Sequence, residues 1–297
     1  MSSAEISALI TLIEDPDETI FNQVRSEIVA RGEIIIPQLE RYWEFNKFGN
    51  LFQERIENLI HSIQYNCISD QLTDWVADEE NDLLEGAILI NKCQYPSFDE
   101  EEVRRQVNAI RQDIWLELND NLTALEQVNV MNHILFTVHG FEGNKKNYVA
   151  PQNSYMADVL NTKKGNPLSL AILYQVLANS LEIPIYGVNL PNHFVLAYMD
   201  ENRLGMSQDG GDNGILFYIN PFIGGSIMHK MEIDDFLMQL ELPQEVKYYR
   251  PCKNVDILQR MVNNLVYAYE QQGKNDKADE LKSMQHLLNG GNDQKES

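Results

Sequence analysis

The chain is 297 residues long, and its 43% hydrophobic and 9% aromatic residues are enough to build real cores in one large or two to three small domains. Its 23 Lys and Arg against 45 Asp and Glu leave a formal charge of −22, which repels phosphate backbones and anionic lipid at long range and speaks against nucleic acid and membranes as partners. No stretch approaches the roughly 18–20 uninterrupted apolar residues of a spanning helix, and Met1 opens onto Ser-Ser-Ala-Glu with neither a basic nor an apolar leader, so a cytoplasmic protein is expected.

From Ile6 to about Val76 the pattern is helical. Ile6, Leu9, Ile10 and Ile13 share one face before Asp15-Pro16-Asp17 stops and restarts the chain. Ile20, Val24, Ile28 and Val29 repeat the stripe up to Arg31-Gly32, where Gly can supply a left-handed cap. Ile34, Ile35, Ile36, Leu39 and Tyr42 give a third helix, and Leu51, Ile56, Ile60 and Ile63 a fourth, each about a dozen residues long. Short helices that cannot bury their faces alone resemble a HEAT-like array over 1–76; an irregular helical bundle is the equal alternative, because no fixed period is visible.

After a boundary expected near 76–81, a helix over 81–92 ends at Tyr95-Pro96. Ser97 sits three residues before Glu100, a capping-box spacing that opens a long helix over 103–118, and 124–138 gives one more. Pro151-Gln152-Asn153-Ser154 turns into a short helix with Asn153 as its expected N-cap, closed by Lys163-Lys164-Gly165. Pro167 then fits the first turn of a helix whose apolar residues Leu168, Leu170, Ala171, Leu173, Val176 and Leu177 are too many for one stripe, so this helix is expected to be buried and central. Three β-branched or aromatic runs follow, at 183–188, 193–198 and 215–219, and read as antiparallel strands. Gly224-Gly225 turns the chain before a helix over 233–240, and helices over 255–271 and 276–288 form a hairpin broken at Gly273. Leu265, Tyr269, Gly273 and Ala278 stand where a tetratricopeptide-like pair would place its packing residues, and a polar tail over 291–297 is expected to be disordered.

Cys67, Cys93 and Cys252 have no short mutual spacing, so neither a disulfide framework nor a metal site is read from them. Cys252 lies just ahead of a helix start, where the macrodipole could lower a thiol pKa, but no His lies near it in sequence. His133 and His139 lack a third ligand, and Asp209, Asp212 and Asn213 lack the spacing and terminal Glu of a calcium loop, so no metal and no cofactor is called for. The acidic runs Asp78-Glu79-Glu80 and Asp99-Glu100-Glu101-Glu102 read as solvated helix starts.

A helix, then strands carrying a His, then a later polar residue is the order of a Cys-His-Asp thiol enzyme, which needs a thiol at a helix N-terminus, an imidazole from the adjacent strand and an acid to fix its tautomer. Four motifs carry that order here: Asn147-Tyr148-x-x-Pro151-x-Asn153-Ser154-Tyr155, Gly165-Asn166-Pro167-Leu168-Ser169-Leu170-Ala171, Gly187-Val188-Asn189-Leu190-Pro191-Asn192-His193-Phe194 and Asn220-Pro221-Phe222-Ile223-Gly224-Gly225. Together they resemble the SirB-type branch of the transglutaminase-like superfamily, most strongly over 148–225. The resemblance implies a mostly helical α+β fold, with a transglutaminase-like (papain-like) core over 77–245 in which one buried helix packs on a small antiparallel sheet, flanked by a tetratricopeptide-like hairpin over 246–290.

Carrying the superfamily's catalytic positions across, the nucleophile falls on Pro167, the histidine on His193 and the acid on Asn220. Proline cannot attack, and an amide cannot supply the negative charge that stabilises an imidazolium, although its oxygen can accept the ring N–H. Ser169 is the nearest hydroxyl, but two residues along a helix turn a side chain by about 200°, so it is read as a residue bonding the backbone one turn back. The expected function is therefore a non-catalytic module that binds a protein or peptide, with a basic partner favoured by the acidic surface, in a groove built from Asn153, Tyr155, Asn192, His193 and Asn220. The alternative is a hydrolase or acyltransferase using Ser169, or a cysteine delivered from elsewhere, with His193 as base. His193 and Asn220 are expected to touch in either case.

Overall fold

The computed structural model describes residues 3–44, 49–200 and 214–293. The chain divides into two compact units, 1–74 and 75–297. Helices α1 (Ser3–Thr11), α2 (Glu18–Val29) and α3 (Ile36–Glu44) lead into α4 (Asn50–Ala77), inside which the boundary falls. The core of the first unit collects Ile10, Ile13, Val24, Ile28, Leu39, Ile56 and Ile63 from the stripes that the sequence displays. Gly32 takes the left-handed φ of +65° that its capping place requires. At the heart of the unit the buried Arg55 donates from Nη1 to the carbonyls of Ile13 and Asp15, both at 2.7 Å, pairs with Glu18 at 2.7 Å and lies 3.9 Å over the Phe21 ring. It thus serves backbone oxygens that the end of the first helical segment leaves without partners. One expectation is corrected here: the fourth helix is 28 residues long rather than about a dozen, because no Gly or Pro interrupts 50–77.

The second unit opens with α5 (Leu83–Gln94), α6 (Glu100–Glu117) and α7 (Ala124–Asn132). The N-cap of α6 is Asp99, whose carboxylate accepts the Glu102 N–H, and not the expected Ser97. Both offer the S/T/D-x-x-E pattern, and the later one is used because Tyr95 and Phe98 close a turn across Ser97. The helix expected over 124–138 changes after Asn132 into a wide π turn over His133–Val138, closed by the His139 N–H on the Ile134 carbonyl at 2.9 Å. There follow β1 (Glu142–Gly143), α8 (Met156–Thr162), β2 (Lys164–Gly165), which pairs parallel with β1, and α9 (Pro167–Asn179). Asn153 belongs to a 3-10 turn (Pro151–Asn153), and Tyr155 occupies the N-cap of α8 without a side-chain bond, since the Asn153 amide is engaged elsewhere.

Strands β3 (Ile185–Leu190), β4 (His193–Met199), β5 (Ile215–Asn220) and β6 (Ser226–Met228) form one antiparallel sheet in sequence order. The fourth strand adds to the three expected; its three residues are too few to show an alternation. On one face of the sheet lies α9, buried nearly all round as its composition requires. On the other, Val188, Leu190, Val195, Ala197 and Tyr218 pack against Ile233 and Leu237 of α10 (Lys230–Gln239). This is the mostly helical α+β architecture expected.

Helices α11 (Asn254–Gln271) and α12 (Asn275–Asp293) form the C-terminal hairpin within the second unit, turning at Gly273 with φ +70°. Residues 291–293 of the expected tail continue α12, and 294–297 lie outside the described residues, as do Asp209, Asp212 and Asn213. One buried side chain, Gln175 of α9, ties sheet and hairpin together: Oε1 accepts the Gly187 N–H of the edge strand β3 at 2.8 Å, and Nε2 donates to Asn254 Oδ1, at the start of α11, at 3.2 Å. The Gly187 carbonyl in turn accepts the Cys252 N–H at 2.8 Å. A Cβ on Gly187 would meet Phe194 at 2.7 Å, so only glycine fits this close approach.

Candidate functional site

The β3–β4 hairpin turns through Pro191 and Asn192 alone, because Leu190 pairs directly with His193. Proline ahead of a residue with φ +56° is the pattern of a type II turn, which asparagine tolerates better than most residues. The turn sets His193 at the first position of β4. Antiparallel pairing of Leu196 with Ile219 brings the end of β5, and with it Asn220, beside the start of β4.

There the Asn220 amide nitrogen lies 3.0 Å from His193 Nε2. The amide oxygen accepts the Phe222 N–H at 3.2 Å, capping the 3-10 turn Pro221–Ile223, so it is the NH2 group that faces the ring. The amide therefore donates and Nε2 accepts, which leaves the proton of the neutral imidazole on Nδ1. This corrects one detail of the expectation, in which the amide oxygen was to accept a ring N–H: the backbone N–H of Phe222 has first claim on that oxygen. Burial, reinforced by the positive charge of Arg260, holds the imidazole below its ordinary pKa, and Phe236 of α10 packs 6.0 Å from the ring.

Pro167 occupies the first position of α9, where a missing N–H costs nothing. Asn166 caps the helix, its Oδ1 accepting the Ser169 N–H at 2.8 Å, while Ser169 Oγ accepts the Asn166 N–H at 3.0 Å. The same hydroxyl donates to the Asn153 carbonyl at 2.6 Å. The expected bond to a carbonyl one turn back, that of Asn166, is also present at 3.3 Å, so Ser169 is buried and engaged by the scaffold. Asn153 is also structural: its amide donates to the carbonyls of Asn147 and Tyr148, at 2.6 and 3.0 Å, and accepts from Asn144 Nδ2 at 2.9 Å. Asn166 Nδ2 completes the network by donating to Ser154 Oγ at 2.9 Å. These amides shape the loop over 144–155 from within. Tyr155, expected in the groove, lies in the core with its hydroxyl 3.1 Å from that of Tyr269 and its ring edge-on to Tyr95.

What the scaffold presents is a small open cleft lined by Asn192 and His193 of the hairpin and by Ser154, Asn166 and Pro167. Tyr148 and Val149, both exposed, also line it, as do Arg260, Asn264 and Tyr267 of α11. Of the expected groove residues, His193 and Asn192 are at the cleft, Asn220 stands behind His193, and Asn153 and Tyr155 are elsewhere. Arg260 and Tyr267 were missed, because the hairpin reads as a packing element; the spacing Arg260, Asn264, Tyr267, a polar line beside the apolar stripe of α11, is the signal that places them together.

Arg260 donates from Nη1 to Asn189 Oδ1 at 2.9 Å and to the Leu190 carbonyl at 3.3 Å. It faces a second, wider cleft as well, together with Cys252 and Asp256. Cys252 is no activated thiol: burial pushes it up to about 12, and its Sγ donates to the Gly187 carbonyl at 3.3 Å. Burial likewise raises Cys93, whose sulfur lies against Met284. His139 is paired with Asp113 at 2.9 Å, and among the described residues no three His, Cys, Asp or Glu side chains cluster so as to hold a metal. No helix among them is long and apolar enough to cross a membrane.

A buried helix whose N-terminus meets a strand histidine backed by a polar side chain from the next strand is the arrangement of transglutaminase-like folds. The family described as the transglutaminase-like superfamily matches residues 101–263, more than half of the chain, and the chain belongs to it. It is 29% identical over 209 residues to a UPF0162 protein of Xylella fastidiosa (strain 9a5c), covering 68% of this chain and 70% of the relative. A UPF0162 protein of Pseudomonas aeruginosa is 25% identical over 195 residues, 65% of this chain and 66% of its own. Human F-box only protein 21 is 30% identical over 146 residues, 49% of this chain but only 22% of that protein. No solved structure matches the chain.

Proposed function

We propose that the chain is a non-catalytic transglutaminase-like protein of the SirB-type branch, acting in the cytoplasm, whose cleft binds a segment of a protein or peptide partner. The observation that carries this reading is the chemistry of the three aligned positions. A proline stands at the nucleophile's place, the nearby hydroxyl of Ser169 is turned away into the scaffold, and the histidine's Nε2 is occupied by an amide donor rather than oriented by an acid. A base held that way has neither a nucleophile to activate nor a charge to stabilise its protonated form. The presence of a related segment as a minor part of a much longer F-box protein supports a module that other domains can carry. In the same reading the C-terminal hairpin is tetratricopeptide-like and the first unit HEAT-like, and the acidic surface favours a partner that is basic around the segment it inserts.

Panning a random peptide library on the purified chain tests the proposal. Peptides should be recovered that shift the His193 ring signals in NMR spectra and that lose binding to Tyr267→Ala. Hydrolysis of p-nitrophenyl acetate above background, abolished by His193→Ala, would instead reveal an enzyme and overturn it. The alignment on which the reading rests is tested separately by Pro167→Cys combined with Asn220→Asp. The introduced thiol should label with iodoacetamide faster than Cys67, Cys93 and Cys252; labelling no faster than an ordinary thiol removes the assignment of position 167.

A further inference from the structure

Arg260 is half-buried in a chain with 45 carboxylates, yet among the described residues none of them pairs with it. Both of its protein bonds are made by Nη1, and both acceptors are neutral, an amide oxygen and a backbone carbonyl. Among the described residues the Nε–H and the two Nη2–H donors have no protein acceptor. A guanidinium offers five N–H groups in a rigid plane, and its Nε–Nη2 edge matches the two oxygens of a carboxylate. Burial disfavours this charge and lowers the Arg260 pKa, an effect that Tyr148 and the two neutral acceptors counter without supplying a paired carboxylate.

The surroundings point the same way. Among the described residues no Asp or Glu lines the cleft that Arg260 shares with His193, although such residues make up 45 of the 297 in the chain; Asp256, about one turn earlier on α11, faces the second cleft and caps its own helix start. The other polar groups there are amides and hydroxyls, including Asn192, Asn264, Tyr148 and Tyr267. The N-terminus of α9, a helix of 13 residues, also ends on the cleft and adds the partial positive charge of its first turn. In a molecule of charge −22 this is a local positive well, and one planar fork without a second cation suits a monoanion better than a phosphate dianion.

We propose that the cleft contains a carboxylate-binding site, formed by the Nε–Nη2 edge of Arg260 and flanked by Asn192 and Asn264, which takes a carboxylate of the inserted peptide. The proposal rests on the reading of the cleft as a peptide-binding site and adds which chemical group anchors the peptide. The carboxylate is either the peptide's C-terminus or an Asp or Glu side chain within it.

Three small probes decide the matter on the 297-residue chain: N-acetyl-dialanine with a free C-terminus, the same peptide as its C-terminal amide, and N-acetyl-glutamic acid amide. Binding is read by calorimetry and by the NMR signals of the Arg260 Nε–H and the His193 ring. At least one free acid should bind at least tenfold more tightly than the amide and move both signals, and which acid does so identifies the source. Arg260→Gln should abolish the preference, and Arg260→Lys, which keeps the charge without the fork, should retain only part of it. Equal binding of acids and amide to the unaltered chain overturns the carboxylate site while leaving a peptide-binding cleft intact. If no acid moves the Arg260 signal, or if inorganic phosphate displaces the acids at lower concentration, the site is also refuted. The library peptides that bind through Tyr267 decide the broader reading independently.

Discussion

An amide and a carboxylate at position 220 make opposite demands on the ring beside them. The amide of Asn220 gives a hydrogen to Nε2 and keeps the His193 proton on Nδ1, a bond that contributes on the order of 1 kcal/mol. A carboxylate would require a hydrogen from Nε2. Asn220→Asp should therefore move the proton across the ring and raise the His193 pKa by about a unit or more, as a nearby negative charge does, while the Phe222 N–H keeps its acceptor. A 15N-resolved NMR titration reads both changes; an unmoved tautomer would mean that the amide is flipped relative to the geometry described. In the unaltered chain the folded ring titrates below its ordinary 6.5, and the unfolded ring near that value. Between the two, the unfolded state holds the extra proton, so stability is fully present above about 6.5 and is lost as pH falls toward the folded pKa. Urea denaturation from pH 7 to 5.5 should show the unaltered chain losing stability relative to His193→Gln by at most about 1.4 kcal/mol per pH unit. Parallel curves would mean that folding leaves the His193 pKa unchanged.

At the scale of elements, α9 depends on a polar knot at its start. Ser169→Ala removes a donor to the Asn153 carbonyl and an acceptor for the Asn166 N–H, both buried, and should cost about 2–3 kcal/mol in chemical denaturation. The His193 ring signals should stay where they are, since Ser169 does not line the cleft; a displaced ring signal would couple the knot to the site. This knot also explains what the sequence could and could not tell. The excess of apolar residues in 168–177 and the turn residues around 183–220 announce a buried helix and neighbouring strands, because burial and φ preference are local properties. That Asn153 and Ser169 would be spent on each other is not local: the same short polar side chains serve equally as caps, ligands or internal props, and only the folded path decides. Tyr155 was misread for the same reason, as a phenol suits a groove or a core with a partner hydroxyl, here that of Tyr269. The π turn after Asn132 left no trace in composition. Asn132 is held there from across the unit, its Nδ2 donating to the Gly225 carbonyl at 2.9 Å and its Oδ1 accepting from Tyr174 at 3.1 Å.

For the molecule as a whole, the two units rest on different principles. The second is built round a sheet. Among the described residues the first has none, and Arg55 satisfies carbonyls that its helices leave over. Arg55→Ala should destabilise it by about 2–3 kcal/mol, the range for hydrogen bonds to a charged group, seen as faster hydrogen exchange of amides within 3–44; Arg55→Lys should recover only part, because an ammonium lacks the fork. Unchanged exchange would show that apolar packing alone holds the unit. Self-repulsion at a charge of −22 weakens any compact form of this chain, so moderate salt should raise the unfolding midpoint throughout.

The side chain of Gln175 reaches the edge strand with one end and the first residue of α11 with the other. His193 stands on the strand next to that edge, and Arg260 lies less than two turns into that helix. With the Cys252 N–H on the Gly187 carbonyl and Arg260 on Asn189 and Leu190, the buried amide of Gln175 ties strand and helix together on either side of the cleft, like jaws locked to a gauge block. Such jaws select by thickness. For the proposed peptide, they should admit an extended chain that already fits and disfavour one that would need the walls to spread, a selection by shape that acts beside that of Arg260.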